Sequence, residues 1–207
     1  MNSFKVVEQF EQRVAEYARA KHGVAVNTCT SAIFLSLRYR YDSNPKLMIG
    51  GPPPVYIPAR TFISVPMAIR YAGGWPVFHG HAWEGVYTLD PLGIVDGALR
   101  FTKGMYRGGL HCLSFHARKH LNIGEGGMVL TDDAAAAEWL RAARYSGRRA
   151  PHYRVEEVDM LGWQFYMTPE KAARGLHLMD YVKDDTPDQR LVYPDLRQVP
   201  FFAKEHI

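Results

Sequence analysis

The stretch SFHARKHLNIGEGG, residues 114 to 127, decides how the rest of the chain is interpreted. It begins at the end of a predicted strand, Leu110 to Phe115, and closes in a glycine-rich turn before a second predicted strand, Gly127 to Leu130. Lys119 therefore lies on a loop at the carboxyl end of a strand, where open α/β sheets bind their ligands. A lysine alone is usually a solvated side chain, but this setting makes Lys119 a candidate functional residue.

Short β-rich runs alternate with helical stretches on both sides of this loop. The pattern predicts an α/β fold, a three-layer sandwich with a mostly parallel sheet. The predicted strands are residues 24–26, 55–57, 75–78, 93–95, 110–115 and 127–130. We expect residues 1–182 to form one domain. Residues 183–207, which are short and rich in proline and charge, read as a C-terminal tail.

Composition fits one ordinary globular domain. Of 207 residues, 47 % are hydrophobic and 22 % are charged, so general disorder is not expected. No apolar run approaches the ~20 residues that span a bilayer, and the amphipathic start does not resemble a signal peptide. The two cysteines, Cys29 and Cys112, form no disulfide or zinc pattern, which favours a cytoplasmic protein. The net charge of +4 suits an ordinary surface and leaves a nucleic-acid partner open.

Other residues complete a pattern around the lysine. Asp96 follows the predicted strand Gly93 to Val95, where a buried carboxylate needs a partner. Thr30 and Ser31 begin a predicted helix, whose free N–H groups and dipole favour a phosphate. Ser114 could add a hydroxyl, and Phe62 an aromatic face. A lysine, an acid, a phosphate site and an aromatic face are what pyridoxal 5'-phosphate (PLP) requires of a protein.

Taken together, four stretches resemble the DegT/DnrJ/EryC1/StrS sugar aminotransferases, a family of fold-type I PLP enzymes. They are VNTCTSAIFLSL (26–37), the segment 55–91, SFHARKHLNIGEGGMVLTDD (114–133) and GWQFYMTPEKAARGLHLM (162–179). The resemblance implies a fold-type I large domain and a homodimer with a shared active site. It implies these roles: Lys119 as the Schiff-base lysine, Asp96 as the pyridinium partner, Phe62 stacking on the ring, and Thr30, Ser31 and Ser114 as phosphate ligands. Gln164 stands where the family has an asparagine that reaches the neighbouring subunit's phosphate.

The chain also departs from the family. It has almost nothing between Asp90 and Asp96, where the family has a further helix and strand, and the small C-terminal domain is largely missing. Leu99 stands in place of a histidine or glutamine that contacts the ring oxygen. Cys29 replaces a glycine, and Tyr166 replaces an arginine.

The resemblance implies aminotransfer from a small amine donor to a sugar-like keto acceptor, with no membrane partner. One alternative is another PLP reaction, such as decarboxylation, on an amine carried by a large substrate such as a modified nucleic acid base. The basic segment Ser146 to Arg149, with Arg154 beyond it, would then contact phosphates. A second alternative is a non-catalytic truncated homologue that serves as a binding or scaffold protein. A third, a metal hydrolase, rests on scattered histidines such as His116 and His120, which a helix would place on one face.

Overall fold

The computed structural model describes residues 4–149 and 158–203. The strands are β1 (His22–Val26), β2 (Pro54–Pro58), β3 (Trp75–His79), β4 (Tyr87–Leu89), β5 (Ile94–Asp96), β6 (Leu110–Ser114) and β7 (Gly127–Thr131). The helices are α1 (Lys5–Ala18), α2 (Cys29–Ser43), α3 (Ser64–Ala72), α4 (Ala134–Ala143), α5 (Pro169–Leu178) and α6 (Pro200–Ala203). Short 3-10 turns lie at Pro45–Met48, Met179–Tyr181 and Leu196–Gln198. None of the helices in this part of the chain is both long and apolar enough to span a bilayer.

The strands form two sheets joined at one point. The larger sheet has the order β1-β7-β6-β5-β4, and the smaller consists of β2 and β3. Tyr56 of β2 and Asp90, just after β4, exchange two main-chain hydrogen bonds of 2.8 and 3.1 Å. The small sheet therefore continues the edge of the large one.

The expectation of a mostly parallel sheet is wrong, because the sheet is mixed. Within the described residues, β5 with β6 and β2 with β3 pair in parallel, whereas β1 with β7, β6 with β7, and β4 with β5 are antiparallel. Parallel neighbours need a crossover connection of a dozen or more residues, usually a helix. Residues 90–93 are too short for one, so β4 and β5 form a hairpin. Residues 115–126 contain no helix, so β7 turns back along β6.

Helices cover both faces of the larger sheet, which confirms the three-layer sandwich. Successive residues of a strand point to opposite faces. Val129 of β7 packs in the core under α2 and α4, and its neighbours Met128 and Leu130 pack in the core under α1 and α5. On the second face Phe10 is fully buried, and a Cβ at Gly175 would lie 2.6 Å from its ring. Only glycine at position 175 allows α5 to approach α1 this closely.

A buried ion pair ties α1, β1 and α4 together. Glu11 and Arg144 are 3 % and 6 % exposed, and Arg144 Nη1 donates to Glu11 Oε1. Both also bind the main chain of Ala25, whose N–H donates to Glu11 at 2.8 Å and whose carbonyl accepts from Arg144 at 2.5 Å. Each charge is therefore neutralised and hydrogen-bonded, as a buried charge must be.

The chain beyond Val182 returns across the carboxyl ends of β2 and β5. Gln189 N donates to Leu99 O at 2.8 Å, and Leu196 N donates to Ala59 O at 2.9 Å. Arg100 holds Asp188 by two hydrogen bonds of 2.8 and 2.5 Å. Leu196 and Phe202 are buried, so this returning segment, Asp188 to Phe202, packs on the domain.

Candidate active site

A cavity of about 540 Å³ lies where β5 and β6 end. Its floor comes from those strand ends and from the loop that carries Lys119. The first turns of α2 and α3 form one wall, and Leu191 to Pro194 of the returning segment form another. This is the edge at which α/β sheets hold their ligands.

Asp96 is the buried acid of the cavity. The residue is only 5 % exposed. Its Oδ1 accepts a hydrogen bond from Ala98 N at 2.9 Å, and its Oδ2 accepts one from the Tyr87 hydroxyl at 2.8 Å. Burial raises the pKa of Asp96 above its usual value, whereas these two hydrogen bonds and the Lys119 charge act to lower it. Hydrogen bonds from both sides thus stabilise the anion against desolvation.

Lys119 lines the same cavity from a turn. Its main-chain N–H donates to His116 O at 2.8 Å, which fixes the backbone of the loop. Burial lowers the pKa of the Lys119 amine, while the negative charge of Asp96 acts in the opposite direction. The amine therefore loses its proton more readily than a solvated lysine, which a nucleophilic lysine needs.

The start of α2 lines the cavity with Thr28, Cys29 and Thr30. Thr28 caps the helix, its hydroxyl accepting from Ser31 N at 3.0 Å, and no acidic residue lies in the first turn. The Thr30 hydroxyl lies 2.7 Å from that of Ser64, at the start of α3. A Cβ at Gly127 would lie 2.6 Å from Cys29 N, so glycine lets the lysine loop contact the helix start. An anion fits at such a helix terminus.

Aromatic side chains form part of the cavity wall. The rings of Trp83 and Tyr193 stack with centroids 6.3 Å apart and an interplanar angle of 12°. Phe62, 51 % exposed, lies 6.3 Å from Tyr193. Burial raises the pKa of Tyr193 to about 12, with a further contribution from the Asp96 charge. Tyr193 therefore stays neutral and gives the cavity an apolar face.

The cavity brings together most of the residues chosen from the sequence. Lys119, Asp96, Thr30, Phe62 and Ser114 all line it. Ser31 and Gln164 do not line it. The hydroxyl of Ser31 lies 2.9 Å from that of Thr28, and Gln164 is exposed and pairs with Tyr145 through the main chain.

Sequence reasoning missed Tyr87 and Tyr193. A signal for Tyr87 existed, since the segment Asp90 to Gly93 between two short apolar runs is typical of a hairpin, which would place Tyr87 beside Asp96. Tyr193 had no local signal, because only the return of the distal segment brings it to the cavity.

The structure does not support the hypothesis of a metal hydrolase or that of phosphate contacts by the basic segment Ser146 to Arg149. Across residues 4–149 and 158–203, no group of three or more potential metal ligands occurs, and residues 116–120 form turns and not the helix that His116 and His120 would need. Arg149 pairs with Glu138 at 2.8 Å and with Asp159 at 2.7 Å. Arg154 lies outside the described residues.

Helices on both faces of a mixed sheet give the architecture of the large domain of the fold-type I PLP-dependent transferases. The lysine loop, the buried aspartate and the start of α2 meet in one cavity of this fold. The family pattern matches residues 1–94 and 102–198. The chain therefore belongs to the DegT/DnrJ/EryC1/StrS aminotransferase family. This match confirms the resemblance drawn from the four sequence stretches.

Solved structures share the fold. A DegT DnrJ EryC1 StrS aminotransferase from Brucella abortus matches with a TM-score of 0.68 and 20 % identity, over 85 % of this chain and 59 % of that one. NtdA from Bacillus subtilis, solved with the cofactor PMP bound, matches with a TM-score of 0.66 and 20 % identity, over 85 % and 48 %.

Curated relatives are also similar to this chain in sequence. The spore coat polysaccharide biosynthesis protein SpsC of Bacillus subtilis is 28 % identical, over 86 % of this chain and 57 % of its own length. GDP-perosamine synthase of Caulobacter vibrioides is 24 % identical, over 87 % and 58 %. The chain thus spans less than two thirds of the length of these relatives.

Proposed function

We propose that this protein is a PLP-dependent aminotransferase that transfers an amino group to a sugar-like keto substrate. The observation that carries the proposal is one cavity lined by Lys119, Asp96 and the first turn of α2. The named relatives are an aminotransferase, a GDP-perosamine synthase and a polysaccharide biosynthesis protein, which supports aminotransfer over the other reactions considered.

The residues present fit PLP. The cavity of about 540 Å³ is of the size of small-molecule sites. Lys119 would hold the cofactor through a Schiff base, and Asp96 would accept a hydrogen bond from the protonated ring nitrogen. The N–H groups at the start of α2, with the Thr30 and Ser114 hydroxyls, would hold the phosphate, and Phe62 would cover the ring. When bound, the cofactor supplies an electron sink for the carbon that bears the amine.

The protein's own groups then have separate tasks. Lys119 would accept and return the proton at the carbon that bears the nitrogen, since its amine is held in the cavity and burial lowers its pKa. Asp96, kept anionic by Ala98 and Tyr87, would hold a positive charge on the ring nitrogen. Tyr193, Trp83 and Leu191 would limit the access of water to this proton transfer.

We also propose a homodimer in which Gln164 reaches the other subunit's phosphate. The exposed position of Gln164, away from its own cavity, supports this arrangement. Hybrids of Lys119→Ala and Gln164→Ala subunits test it, because one site of each hybrid keeps both residues. We expect each variant alone to bind PLP poorly and the mixture to recover part of the binding. A mixture no better than its components contradicts the shared site.

The proposed function is tested by adding PLP to the purified protein and recording its absorption spectrum. The parent should develop a visible band that borohydride removes, and peptide mass spectrometry should find the reduced cofactor on Lys119. Lys119→Ala should lack the band, whereas Lys103→Ala should keep it, because Lys103 is exposed and pairs with Asp184 outside the cavity. A parent that never attaches PLP contradicts the proposal. Turnover with nucleotide-linked keto sugars and an amino acid donor then tests aminotransfer.

A further inference from the structure

Two hydroxyl groups, those of Thr61 and Tyr87, form a hydrogen-bonded series that ends at Asp96 beside the cavity. The Tyr87 hydroxyl lies 2.8 Å from Asp96 Oδ2 and 2.6 Å from Thr61 Oγ1. Thr61 is 1 % exposed and Tyr87 is 8 % exposed, so water does not compete for these hydrogen bonds.

The hydrogen bonds between Thr61, Tyr87 and Asp96 all run in one direction, toward the carboxylate. An ionised carboxylate only accepts, so Tyr87 must donate its single proton to Asp96. The Tyr87 oxygen is then free to accept, and Thr61 must donate to it. Burial raises the pKa of Tyr87 well above its usual value, so its proton stays on the phenol. Each donor in such a chain polarises the next.

The hairpin of β4 and β5 places the Tyr87 hydroxyl beside Asp96. Tyr87 is paired directly with Asp96 in the register of the two antiparallel strands. Thr61, in the segment between β2 and α3, reaches the same point from the smaller sheet. The two oxygens of Asp96 are thereby held by Tyr87 on one side and Ala98 on the other.

We propose that Tyr87, oriented by Thr61, is a positioning residue that keeps Asp96 anionic and aimed at the cofactor's ring nitrogen. This inference rests on the proposed PLP site. Its physical basis is that a buried carboxylate is stable as an anion only where donors replace the water it has lost. Without Tyr87, Asp96 becomes a stronger base, so the proton that it shares with the ring nitrogen lies more on the carboxyl group and less on the ring.

The test is the protonation of the ring nitrogen, read by nitrogen NMR of ¹⁵N-labelled PLP bound to the protein across a pH series. In Tyr87→Phe we expect the proton to move from the ring nitrogen to the Asp96 carboxyl, so that the nitrogen signal shows the ratio of ring-protonated to carboxyl-protonated forms lowered about tenfold, as removal of a hydrogen bond to a charged group implies. Thr61→Val should lower this ratio by less, and Thr61→Ser should restore it.

Tyr39→Phe is the matched control. The Tyr39 hydroxyl donates to the Asp133 carboxylate at 3.1 Å, remote from the cavity, so this variant loses the same kind of contact. Its ratio of ring-protonated to carboxyl-protonated forms should equal that of the parent. If Tyr87→Phe does not fold, the Thr61 pair still decides the question.

The outcomes separate the two proposals. If the parent never attaches PLP, the proposed function fails. If the parent binds PLP but Tyr87→Phe and Thr61→Val show the same ratio as the parent, PLP binding stands and the positioning role of Tyr87 is wrong. An equal shift in Tyr39→Phe would also overturn the inference, because it would mark a general loss of stability.

Discussion

Lys119 and Asp96 show one physical cause acting on opposite charges. Burial disfavours the charged form of each, so it lowers the pKa of the lysine and raises the pKa of the aspartate. Each is partly compensated by the other's charge. The two opposite charges therefore offset part of each other's loss of hydration in one small cavity.

The pH dependence of Lys119 follows from this burial. Between its pKa in the folded protein and that in the unfolded chain, near the ordinary value of 10.5, the folded state binds fewer protons. Competitive acetylation across a pH series, read by peptide mass spectrometry, should give Lys119 a midpoint below the one measured for the same lysine in urea. Equal midpoints in the two states would contradict this expectation.

Asp96 should be a residue that lowers stability in the cofactor-free protein. Its raised pKa means that ionisation costs folding free energy, a cost that is fully present above the folded pKa and disappears as pH falls below the unfolded one. At neutral pH we expect Asp96→Asn to raise the free energy of unfolding by on the order of 1 kcal/mol and to weaken PLP binding. Urea unfolding and a PLP titration measure the two effects. A variant that loses stability and keeps its PLP affinity would contradict both expectations.

At the scale of elements, the contact of α1, β1 and α4 depends on Glu11 and Arg144. Removal of one partner leaves a buried charge without compensation, so we expect Glu11→Gln to lose about 3–5 kcal/mol in urea unfolding. The double variant Glu11→Leu, Arg144→Met should recover much of that loss. If the single and double variants lose equally, packing rather than charge is responsible.

The sequence predicted which elements exist better than how they pair. Predicted strands at residues 24–26, 55–57 and 75–78 lie inside β1, β2 and β3. Asp133 caps α4, its side chain accepting from Ala136 N. The pattern missed β4, although it indicated the equally short β5 at residues 93–95. The predicted direction of strand pairing was wrong because it depends on the connections between strands, and the short connection at residues 90–93 makes β4 and β5 a hairpin.

Some residues of the candidate site could be predicted from the local sequence, and others could not. Lys119, Asp96 and Thr30 each follow a strand or begin a helix, which local sequence shows. Tyr87 depended on the hairpin, and Tyr193 reaches the cavity through contacts between distant parts of the chain. The roles of all these residues in binding and catalysis stay predictions.

At the scale of the whole molecule, the returning segment forms one wall of the cavity. It is held by the Arg100 to Asp188 ion pair and by main-chain bonds at Gln189 and Leu196. We expect Arg100→Met to speed hydrogen exchange of the Gln189 amide several-fold and to change the melting temperature little. Lys103→Met, which removes an exposed pair with Asp184, is the control. Unchanged exchange in Arg100→Met would show that apolar packing alone holds the segment.

The hairpin of β4 and β5 also bears on the order in which the cavity can assemble. Tyr87 and Asp96 meet across a turn of four residues, 90 to 93, whereas β1 can pair with β7 only after the long loop between Val24 and Val129 has closed. Closing a short loop costs less chain entropy and is faster than closing a long one. During folding, we expect the end of the cavity at Asp96 to form as a local event and the end at the start of α2 to be completed later.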